Sequence, residues 1–384
     1  MDRLRVGVIG CGIVSQVMHL PYLRELRDRY DLRALCDVSP GTLGLVADAY
    51  GVSRRFTDWR DMLGEELDAV FVATNGSHAG PAIAAARSGR HVFVEKPLCF
   101  TLDEADGMIA AADEHGVRLM VGYMKRYDPG FVAASERIGA MRDVRFLRLT
   151  TLEAPADDYL APYPILRSAD VPPELLASFA EERATLVRRA IGSAPGPDLQ
   201  RAYIETLLDS AIHELNMLRA LAGDPVEVSV AEFWDAGRSL HVLFTFAGEL
   251  RAALSWLTLP ELRRYRQEIA CYAPAERVTV SFPAPYLRNA PTPVLVEDQD
   301  AASTWAREVV TSYDEAFRRE LVHFHDAVVR GTPVLTDARD ARRDIELAVA
   351  IVRGAVTRAP VPMPGAGAPA PVSGAAGAPA GSPP

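Results

Sequence analysis

The sequence has 384 residues, 49% of them hydrophobic and 24% charged, a balance typical of a globular protein with two domains. A formal net charge of −10 without a basic cluster argues against a nucleic acid as the partner. The chain has no run of about 18 apolar residues that could cross a membrane, and it enters a strand at Leu4 without a signal peptide, so we expect a cytoplasmic protein.

Residues 1–123 alternate short apolar strands with helices. The predicted strands are Leu4–Ile9, Leu32–Cys36, Ala69–Ala73, His91–Glu95 and Arg118–Gly122. Helices are predicted at Pro81–Ser88 and Leu102–His115, and the second begins with a capping box formed by Thr101 and Glu104. This alternation is typical of a parallel sheet with helices on both faces, so we expect an α/β domain of the Rossmann type.

A glycine turn follows the first strand and predicts a dinucleotide site. Gly10 permits the tight turn, and Gly12 allows the backbone to approach a pyrophosphate. The third position of the fingerprint is Ser15, which is small enough for close packing of helix on strand. Asp37, which ends the second strand, is placed to accept hydrogen bonds from the adenosine ribose and to repel a 2′-phosphate. The sequence therefore predicts NAD as the cofactor, in preference to NADP.

Residues 124–358 show a different pattern, predicted to be an α+β domain for substrate binding and oligomerisation. Strands are predicted at Val144–Thr151, Val226–Trp234, Leu240–Ala247, Ala252–Thr258, Glu268–Cys271 and Val278–Phe282. Several are joined by short turns, which favours a large and mainly antiparallel sheet. Helices are predicted near Tyr203–Ala222, Ser312–Arg330 and Ala338–Thr357. Residues 359–384, nearly all Ala, Pro, Gly and Ser, are predicted to be a disordered tail.

The helix predicted at Tyr203–Ala222 carries a polar stripe. Asp209, His213 and Asn216 follow one another at spacings of four and three, which places them on one face of an α-helix. A carboxylate beside an imidazole at a domain cleft suits acid–base chemistry. His323 and His325 are two residues apart and make a poor metal pair, and the four separated cysteines suggest free thiols, so no metal site is predicted.

Lysine is scarce in this chain. Lys96 and Lys125 are the only lysines among 41 basic residues, and the rest are arginines. Because an arginine cannot lose its proton in a protein and a lysine can, we expect Lys96, within Glu95-Lys96-Pro97, to serve as a group with a removable proton.

A long segment between the strand ending near Thr151 and the helix at Tyr203 is rich in acidic residues. Residues 153–182 contain one basic residue, Arg167, and seven acidic ones: Glu153, Asp157, Asp158, Asp170, Glu174, Glu181 and Glu182. Long connections are usually functional or disordered. We expect this segment to form a lid that attracts a cationic substrate, and the alternative is a solvated acidic loop without contact to substrate.

The sequence resembles the glucose–fructose oxidoreductase/inositol dehydrogenase/rhizopine-catabolism (Gfo/Idh/MocA) family over about residues 4 to 358. The motifs that carry the resemblance are the glycine turn, Ala73-Thr74 through His78, Gly89 through Pro97, Tyr123 through Pro129, and Asp209 through His213. The family's Thr-Pro turn is replaced here by Thr74-Asn75.

The resemblance implies particular roles for residues of this chain. It implies catalytic roles for Lys96, Asp209 and His213, cofactor contacts at Gly10, Gly12, Ile13, Asp37, Thr74, His78, Glu95 and Lys96, and substrate contacts at Lys96, Tyr123, Lys125, Asp209 and His213. We expect His213, oriented by Asp209, to act as the base. Lys96, close to the positive nicotinamide and partly desolvated, is expected to have a lowered pKa and to stabilise the alkoxide. The sequence leaves open which of the two residues accepts the proton first. The resemblance also implies a homodimer or homotetramer.

The leading hypothesis is an NAD-dependent dehydrogenase that oxidises a secondary ring hydroxyl to a ketone. The acidic segment and a resemblance to dehydrogenases of aminoglycoside antibiotic pathways, the gentamicin pathway among them, predict an aminosugar or aminoglycoside oxidised at C3 of a glycosyl unit. The alternatives are an inositol or sugar-nucleotide dehydrogenase, an NAD-assisted glycosidase, and a nucleotide-sensing regulator without turnover.

Overall fold

The computed structural model describes residues 3–365, and their first third forms a six-stranded sheet. Its strands are β1 (Leu4–Ile9), β2 (Tyr30–Cys36), β3 (Arg54–Phe56), β4 (Ala69–Val72), β5 (His91–Glu95) and β6 (Leu119–Gly122), in the spatial order β3-β2-β1-β4-β5-β6. The helices between them are α1 (Leu20–Glu25), which continues a π-helical turn at Ser15–His19, α2 (Pro40–Tyr50), α3 (Trp59–Met62), α4 (Ala79–Arg87) and α5 (Leu102–Glu114). All neighbouring strands are parallel, which confirms the predicted Rossmann architecture.

The central strand β4 shows why helices cover both faces of this sheet. All four of its residues are apolar and buried, as expected for a parallel strand packed on both sides. Val70 belongs to the apolar cluster that contains residues of α4 and α5, whereas Phe71 belongs to the cluster that contains residues of α1 and α2. Because all neighbouring strands are parallel, their carboxyl ends lie at one edge of the sheet, where ligands bind in such folds.

Several elements of this domain differ from the prediction. Strand β2 begins two residues earlier, at Tyr30, and the short edge strand β3 and helix α2 were not predicted. Two of the three residues of β3 are arginines, so the strand has no apolar pattern to recognise. The capping box is confirmed, because Glu104 N–H donates to Thr101 Oγ1 at 3.2 Å and Thr101 N–H donates to Glu104 Oε2 at 3.0 Å.

The second part of the chain forms a nine-stranded sheet. Its strands are β7 (Phe146–Glu153), β8 (Glu227–Trp234), β9 (Ser239–Thr245), β10 (Arg251–Thr258), β11 (Arg266–Tyr272), β12 (Arg277–Phe282), β13 (Val294–Gln299), β14 (Thr304–Val309) and β15 (Val361–Pro362), in the order β14-β13-β12-β11-β7-β10-β9-β8-β15. Only β7 and β10, among the described strands of this sheet, pair in parallel. The prediction of a mainly antiparallel sheet is therefore confirmed.

Helices of the second part lie between and after these strands. They are α6 (Pro129–Ala140), α7 (Ala156–Leu160), α8 (Pro173–Ile191), α9 (Pro197–Ala202), α10 (Ile212–Ala222), α11 (Ala316–Val329) and α12 (Ala338–Thr357). A π-helical segment, Tyr203–Ala211, joins α9 to α10, and a 3-10 turn at Met124–Tyr127 follows the first sheet.

Helix α11 packs against the first sheet, although the predicted division of the chain places it in the second domain. Tyr30 Oη donates to the carbonyl of Leu321 at 2.6 Å. The ring of Phe324 lies edge-on to Phe71 at 5.6 Å between centroids and packs similarly against Phe93 at 5.7 Å. The apolar face of α11 therefore completes the core of the nucleotide-binding sheet, and the two parts of the chain share this helix.

The predicted tail begins too early in the sequence. Val361 and Pro362 form β15, which pairs with Val228 and Glu227 of β8, so residues 359–365 are not all irregular. Residues 366–384 lie outside the described part of the chain. Within residues 3–365, no helix has the length and apolarity needed to cross a membrane.

Candidate functional site

The glycine turn after β1 has the backbone geometry that the sequence predicted. Gly10 has φ of +100°, and a Cβ at this position would lie 2.3 Å from the carbonyl oxygen of Ala73, so only glycine fits here. A Cβ on Gly12 would meet no atom within 4 Å, which leaves open space beside the turn. Ser15 Oγ donates to the carbonyl of Gly10 at 2.6 Å and holds the turn from the helix side. The open space beside Gly12 fits a pyrophosphate, and Ile13 borders the same turn.

Asp37 lies at the carboxyl end of β2, next to the glycine turn. Its Oδ2 accepts a hydrogen bond from Cys11 N–H at 2.8 Å, and its Oδ1 accepts one from Ser39 N–H at 2.9 Å. The carboxylate is half-buried and fixed between the turn and the start of α2. Each carboxylate oxygen has a second acceptor position, so Asp37 can still accept hydrogen bonds from a ribose.

His78 joins the loop after β4 to the loop after β5. Its Nε2 lies 2.9 Å from the carbonyl oxygen of Thr74, and its Nδ1 lies 2.7 Å from that of Pro97. The ring is 2% exposed, and burial lowers its pKa. His78, predicted as a cofactor contact, therefore fixes the Thr74 turn against the Glu95-Lys96-Pro97 loop.

Lys96 lies directly after β5 and forms an ion pair with Asp209. Lys96 Nζ is 3.1 Å from Asp209 Oδ1 and also donates to the backbone carbonyl of Asp209. Burial lowers the pKa of Lys96, but the interactions of Lys96 with Asp209, Tyr286 and Glu95 outweigh burial and raise it above its ordinary value. In this structure the pKa of Lys96 is therefore raised and not lowered, and its ammonium is charged at neutral pH.

Asp209 does not orient His213, contrary to the prediction. Asp209 lies in the π-helical segment Tyr203–Ala211, and His213 lies in the α-helix that follows. The Asp209 side chain is 70% exposed and binds Lys96, whereas His213 is buried and its Nδ1 has no hydrogen-bond partner among the described residues.

His213 is neutral at neutral pH. Burial and the positive charges of Lys125 and Lys96 hold the pKa of His213 well below its ordinary value. Its ring lies edge-on to Tyr123, with 6.0 Å between ring centroids. An uncharged imidazole can accept a proton, so the structure provides a base within the field of two lysines.

Lys125 is the lysine whose pKa is lowered. Burial lowers it to about 8, although Glu214 partly opposes this effect. Lys125 Nζ donates to Gln267 Oε1, and Gln267 Nε2 donates in turn to Glu214 Oε1. The hydroxyl of Tyr265 donates to the same oxygen of Gln267 at 3.1 Å. Lys125, predicted as a substrate contact, is thus held in a buried polar group, and Tyr123 beside it is 1% exposed.

The third member of the predicted polar stripe, Asn216, serves a different purpose. Its amide nitrogen donates to Asp340 Oδ2 at 2.9 Å and to Asp344 Oδ2 at 2.8 Å, and its oxygen accepts from Arg126 at 3.1 Å. Arg219 completes this network through Asp344 at 2.7 Å. Asn216 therefore holds α10 to α12 and does not face the cleft.

A second buried group lies behind Lys96. His19 Nε2 is 2.6 Å from Glu95 Oε1, Lys96 N–H donates to Glu95 Oε2 at 3.0 Å, and Glu320 of α11 reaches the same place. Ligand atoms of His19, Glu95 and Glu320 all lie within 4.8 Å of one another. Neither carboxyl oxygen of Glu320 has a hydrogen-bond partner in the described residues, and burial beside Glu95 raises its pKa well above its ordinary value. Burial and the neighbouring Glu95 therefore favour the protonated form of Glu320. The sequence alone gave no sign of this group.

The predicted acidic lid divides into two parts. Residues 160–170 lie on the nucleotide-binding domain near the glycine turn, where Leu166 and Gln16 exchange hydrogen bonds at 2.8 and 2.9 Å. Helix α8 follows, and Arg183 donates to Asn75 Oδ1 at 3.2 Å. Its last turns also carry Arg188 and Arg189, so the positive charge that follows residue 182 reduces the acidic character of the lid.

Sequence reasoning missed several polar groups near Lys96. Tyr286 lies close enough to Lys96 to raise its pKa, and its ring packs near that of Tyr159 at 6.4 Å between centroids. Glu153 ends β7, where it accepts a hydrogen bond from Trp256 Nε1 at 3.2 Å, and burial raises its pKa. Tyr286 follows no motif in the sequence, and Glu153 was counted only as part of the acidic segment.

Comparison with known proteins identifies the first domain. Residues 4–123 match the model of the Gfo/Idh/MocA oxidoreductase family, described as an oxidoreductase family with an NAD-binding Rossmann fold. The first domain is therefore similar to the NAD-binding domain of this family. A curated inositol 2-dehydrogenase of Salmonella typhimurium is 31% identical over 133 residues, which cover 34% of this chain and 39% of that protein. This chain thus covers about two fifths of the length of that relative.

Two further similarities extend across both domains. The myo-inositol 2-dehydrogenase of Thermotoga maritima is 26% identical over 364 residues, covering 90% of this chain and 95% of that protein. A levoglucosan dehydrogenase, solved in complex with NADH, superposes with a TM-score of 0.74 at 21% identity and covers 94% of this chain and 99% of its own. The second similarity shows that both domains share their fold with this dehydrogenase.

Proposed function

We propose that the protein is an NAD-dependent dehydrogenase that oxidises a secondary hydroxyl of a sugar or cyclitol ring to a ketone. The observation that carries this proposal is the ion pair of Lys96 with Asp209, formed beside the neutral base His213. Lys96 follows β5 at the same edge of the sheet as the glycine turn after β1. The cation Lys96 and the base His213 therefore lie at the carboxyl edge of the first sheet, where dinucleotides bind in this fold.

The cofactor site fits NAD on three observations. Gly10 cannot carry a side chain, the space beside Gly12 is open, and Asp37 is fixed at the end of β2 with acceptor positions to spare. NAD, when bound, supplies the acceptor for the hydride that leaves the substrate carbon. The chain itself supplies the pocket and the groups that handle the proton.

Lys96 and His213 have different roles at the substrate hydroxyl: Lys96 binds the oxygen and His213 accepts the proton. The charged ammonium of Lys96, held by Asp209, donates a hydrogen bond to the substrate oxygen and stabilises the negative charge that develops there. His213, kept neutral by burial and by its lysine neighbours, accepts the hydroxyl proton. The carbon–hydrogen bond breaks with its electron pair, the oxygen–hydrogen bond breaks as a proton, and the product is a ketone.

The substrate proposed is an aminosugar or an aminoglycoside oxidised at C3. The exposed carboxylate of Asp209 and the half-buried carboxylate of Glu153 could bind ammonium groups, and the rings of Tyr159 and Tyr286 could pack on a sugar face. The test is the KM of an aminoglycoside across ionic strength, beside a neutral analogue. A KM that rises with salt only for the cation supports the proposal, and an equal turnover of the neutral sugar that is indifferent to salt contradicts it.

The function is tested by incubating the purified protein with NAD and a panel of cyclitols, sugars, sugar nucleotides and aminoglycosides. The proposal predicts NADH and a ketone in equal amounts with at least one compound. Binding of NAD without turnover of any compound would indicate a regulator, and release of a free aglycone without net NADH would indicate a glycosidase.

The proposal places the enzyme in a reducing cytoplasm as a homodimer or homotetramer. Cys11, Cys36, Cys99 and Cys271 are free and buried, which suits a reducing compartment. The mass in solution, measured by light scattering, tests the oligomeric state.

A further inference from the structure

Residues 160–170, here called the strap, connect the second sheet to helix α8 and lie across the adenosine side of the nucleotide-binding domain. Gln16, just beyond the glycine turn, exchanges two hydrogen bonds with Leu166 of the strap, at 2.8 and 2.9 Å. Ser168 N–H donates to Thr42 Oγ1 of α2 at 3.0 Å. The strap is therefore anchored at both the β1 turn and the start of α2.

The last residue of the strap, Asp170, binds the N-terminus of α2. Its Oδ2 accepts a hydrogen bond from Gly41 N–H at 2.6 Å, and its Oδ1 accepts one from the hydroxyl of Ser39. A Cβ at Gly41 would lie 2.5 Å from Ser168 Oγ and 2.8 Å from Asp170 Oδ2, so the contact depends on a glycine. The bonds from Ser39 and Gly41 lower the pKa of Asp170, which is therefore ionised at neutral pH.

These donors follow the residue that binds the adenosine ribose in this fold. The adenosine ribose of a dinucleotide lies against the acidic residue at the end of the second strand, here Asp37. A phosphate on its 2′-oxygen would lie next to the residues that follow, Ser39 to Gly41, where a helix N-terminus favours an anion. In this chain, the carboxylate of Asp170 already holds both donors.

We propose that Asp170 is a second determinant of cofactor choice, which occupies the position of the 2′-phosphate from the second domain and so excludes NADP. The proposal rests on the proposed function and deepens it. Asp37 binds the ribose hydroxyls. Asp170 occupies the hydrogen-bond donors of Ser39 and Gly41 and adds a second negative charge at the place where a 2′-phosphate would have to bind. Cofactor choice is thereby set by residues of both domains.

The test measures equilibrium binding of NADH and NADPH to the purified full chain by nicotinamide fluorescence. The variants are Asp170→Asn, which keeps the shape of the side chain, and Asp170→Ser, which opens the space. Asp48→Asn is the matched control, because it removes one negative charge from the C-terminal end of the same helix, where Asp48 pairs with Arg55 at 2.6 Å.

Both Asp170 variants are expected to tighten NADPH binding by about ten-fold, because one unit charge near the phosphate is removed. The Kd of NADH should change by less than about three-fold in the same variants, and the control should change neither value, since its charge lies far from the ribose. An unchanged Kd for NADPH in both variants would overturn the proposal. An equal change for both cofactors would also overturn it, because that result indicates a structural role for the strap. If the wild-type protein binds neither cofactor, the proposed function itself fails.

Discussion

The two lysines of this chain should respond in opposite ways to pH, and Lys125 gives the sharper prediction. Burial lowers the pKa of Lys125 to about 8, and the unfolded chain has the ordinary value of 10.5. Between these two values the unfolded state holds a proton that the folded state has lost, so the free energy of unfolding rises with pH. For this group alone, the rise between about pH 7 and about pH 9.5 amounts to about 2 kcal/mol.

The perturbation is Lys125→Met, which removes the titrating group and leaves an apolar side chain of similar length. Gln267 then keeps its hydrogen bonds to Tyr265 and Glu214. The assay is urea unfolding of the wild type and the variant at both pH values. Wild-type stability relative to Lys125→Met should rise by about 2 kcal/mol from the lower to the higher pH, because all other titrations cancel in the comparison.

Lys96→Met is the matched control. The folded pKa of Lys96 is raised above 10.5, so its contribution to stability is fully present below 10.5 and is lost only as the pH rises through the folded value. The difference between the wild type and Lys96→Met should therefore change much less over the same window, since Lys96 acts there only through its smaller effect on the pKa of Lys125. A constant difference for Lys125→Met would refute the assignment of the removable proton to Lys125.

The remaining predictions concern the cofactor and the groups around Lys96. Lys96→Arg should abolish turnover while NAD still binds, because a guanidinium cannot match the ammonium contacts with Asp209; a near-normal kcat would contradict this. The wild-type enzyme should have a higher kcat/KM with NAD than with NADP because of Asp37, and equal values would refute that role. Glu320→Gln should retain activity and stability, because glutamine keeps the shape of the carboxyl and burial already favours the uncharged form of Glu320. Loss of activity and of a bound metal in Glu320→Gln would instead show that His19, Glu95 and Glu320 hold a metal ion.

The sequence predicts the architecture of the first domain because its strands are short apolar runs separated by glycine and by helix caps. Strands β1 and β5 have the predicted bounds, and the capping box at Thr101 is present. Strand β3 could not be predicted from its sequence, because two of its three residues are arginines. It is held in the extended conformation by pairing with β2 at the edge of the sheet.

The candidate site is harder to predict, because its charges depend on tertiary neighbours. The spacing from Asp209 to His213 predicts that the carboxylate binds the imidazole, but the carboxylate binds Lys96 instead. The pKa of Lys96 depends on Asp209, whose side chain binds Lys96 and not His213. It also depends on Tyr286, which is far from Lys96 in the sequence and belongs to no motif. Sequence patterns thus identify the residues of the candidate site, but their protonation states depend on tertiary contacts.

The central claim is that a hydride leaves the substrate carbon while Lys96 holds its oxygen. The most direct measurement uses a substrate from the panel labelled with deuterium at the carbon that bears the reacting hydroxyl, with mass spectrometry of the reduced cofactor. The account predicts one deuterium in each NADH formed by the wild type, and no labelled NADH from Lys96→Arg. Labelled NADH formed at the wild-type rate by Lys96→Arg, or NADH without deuterium from the wild type, would contradict it.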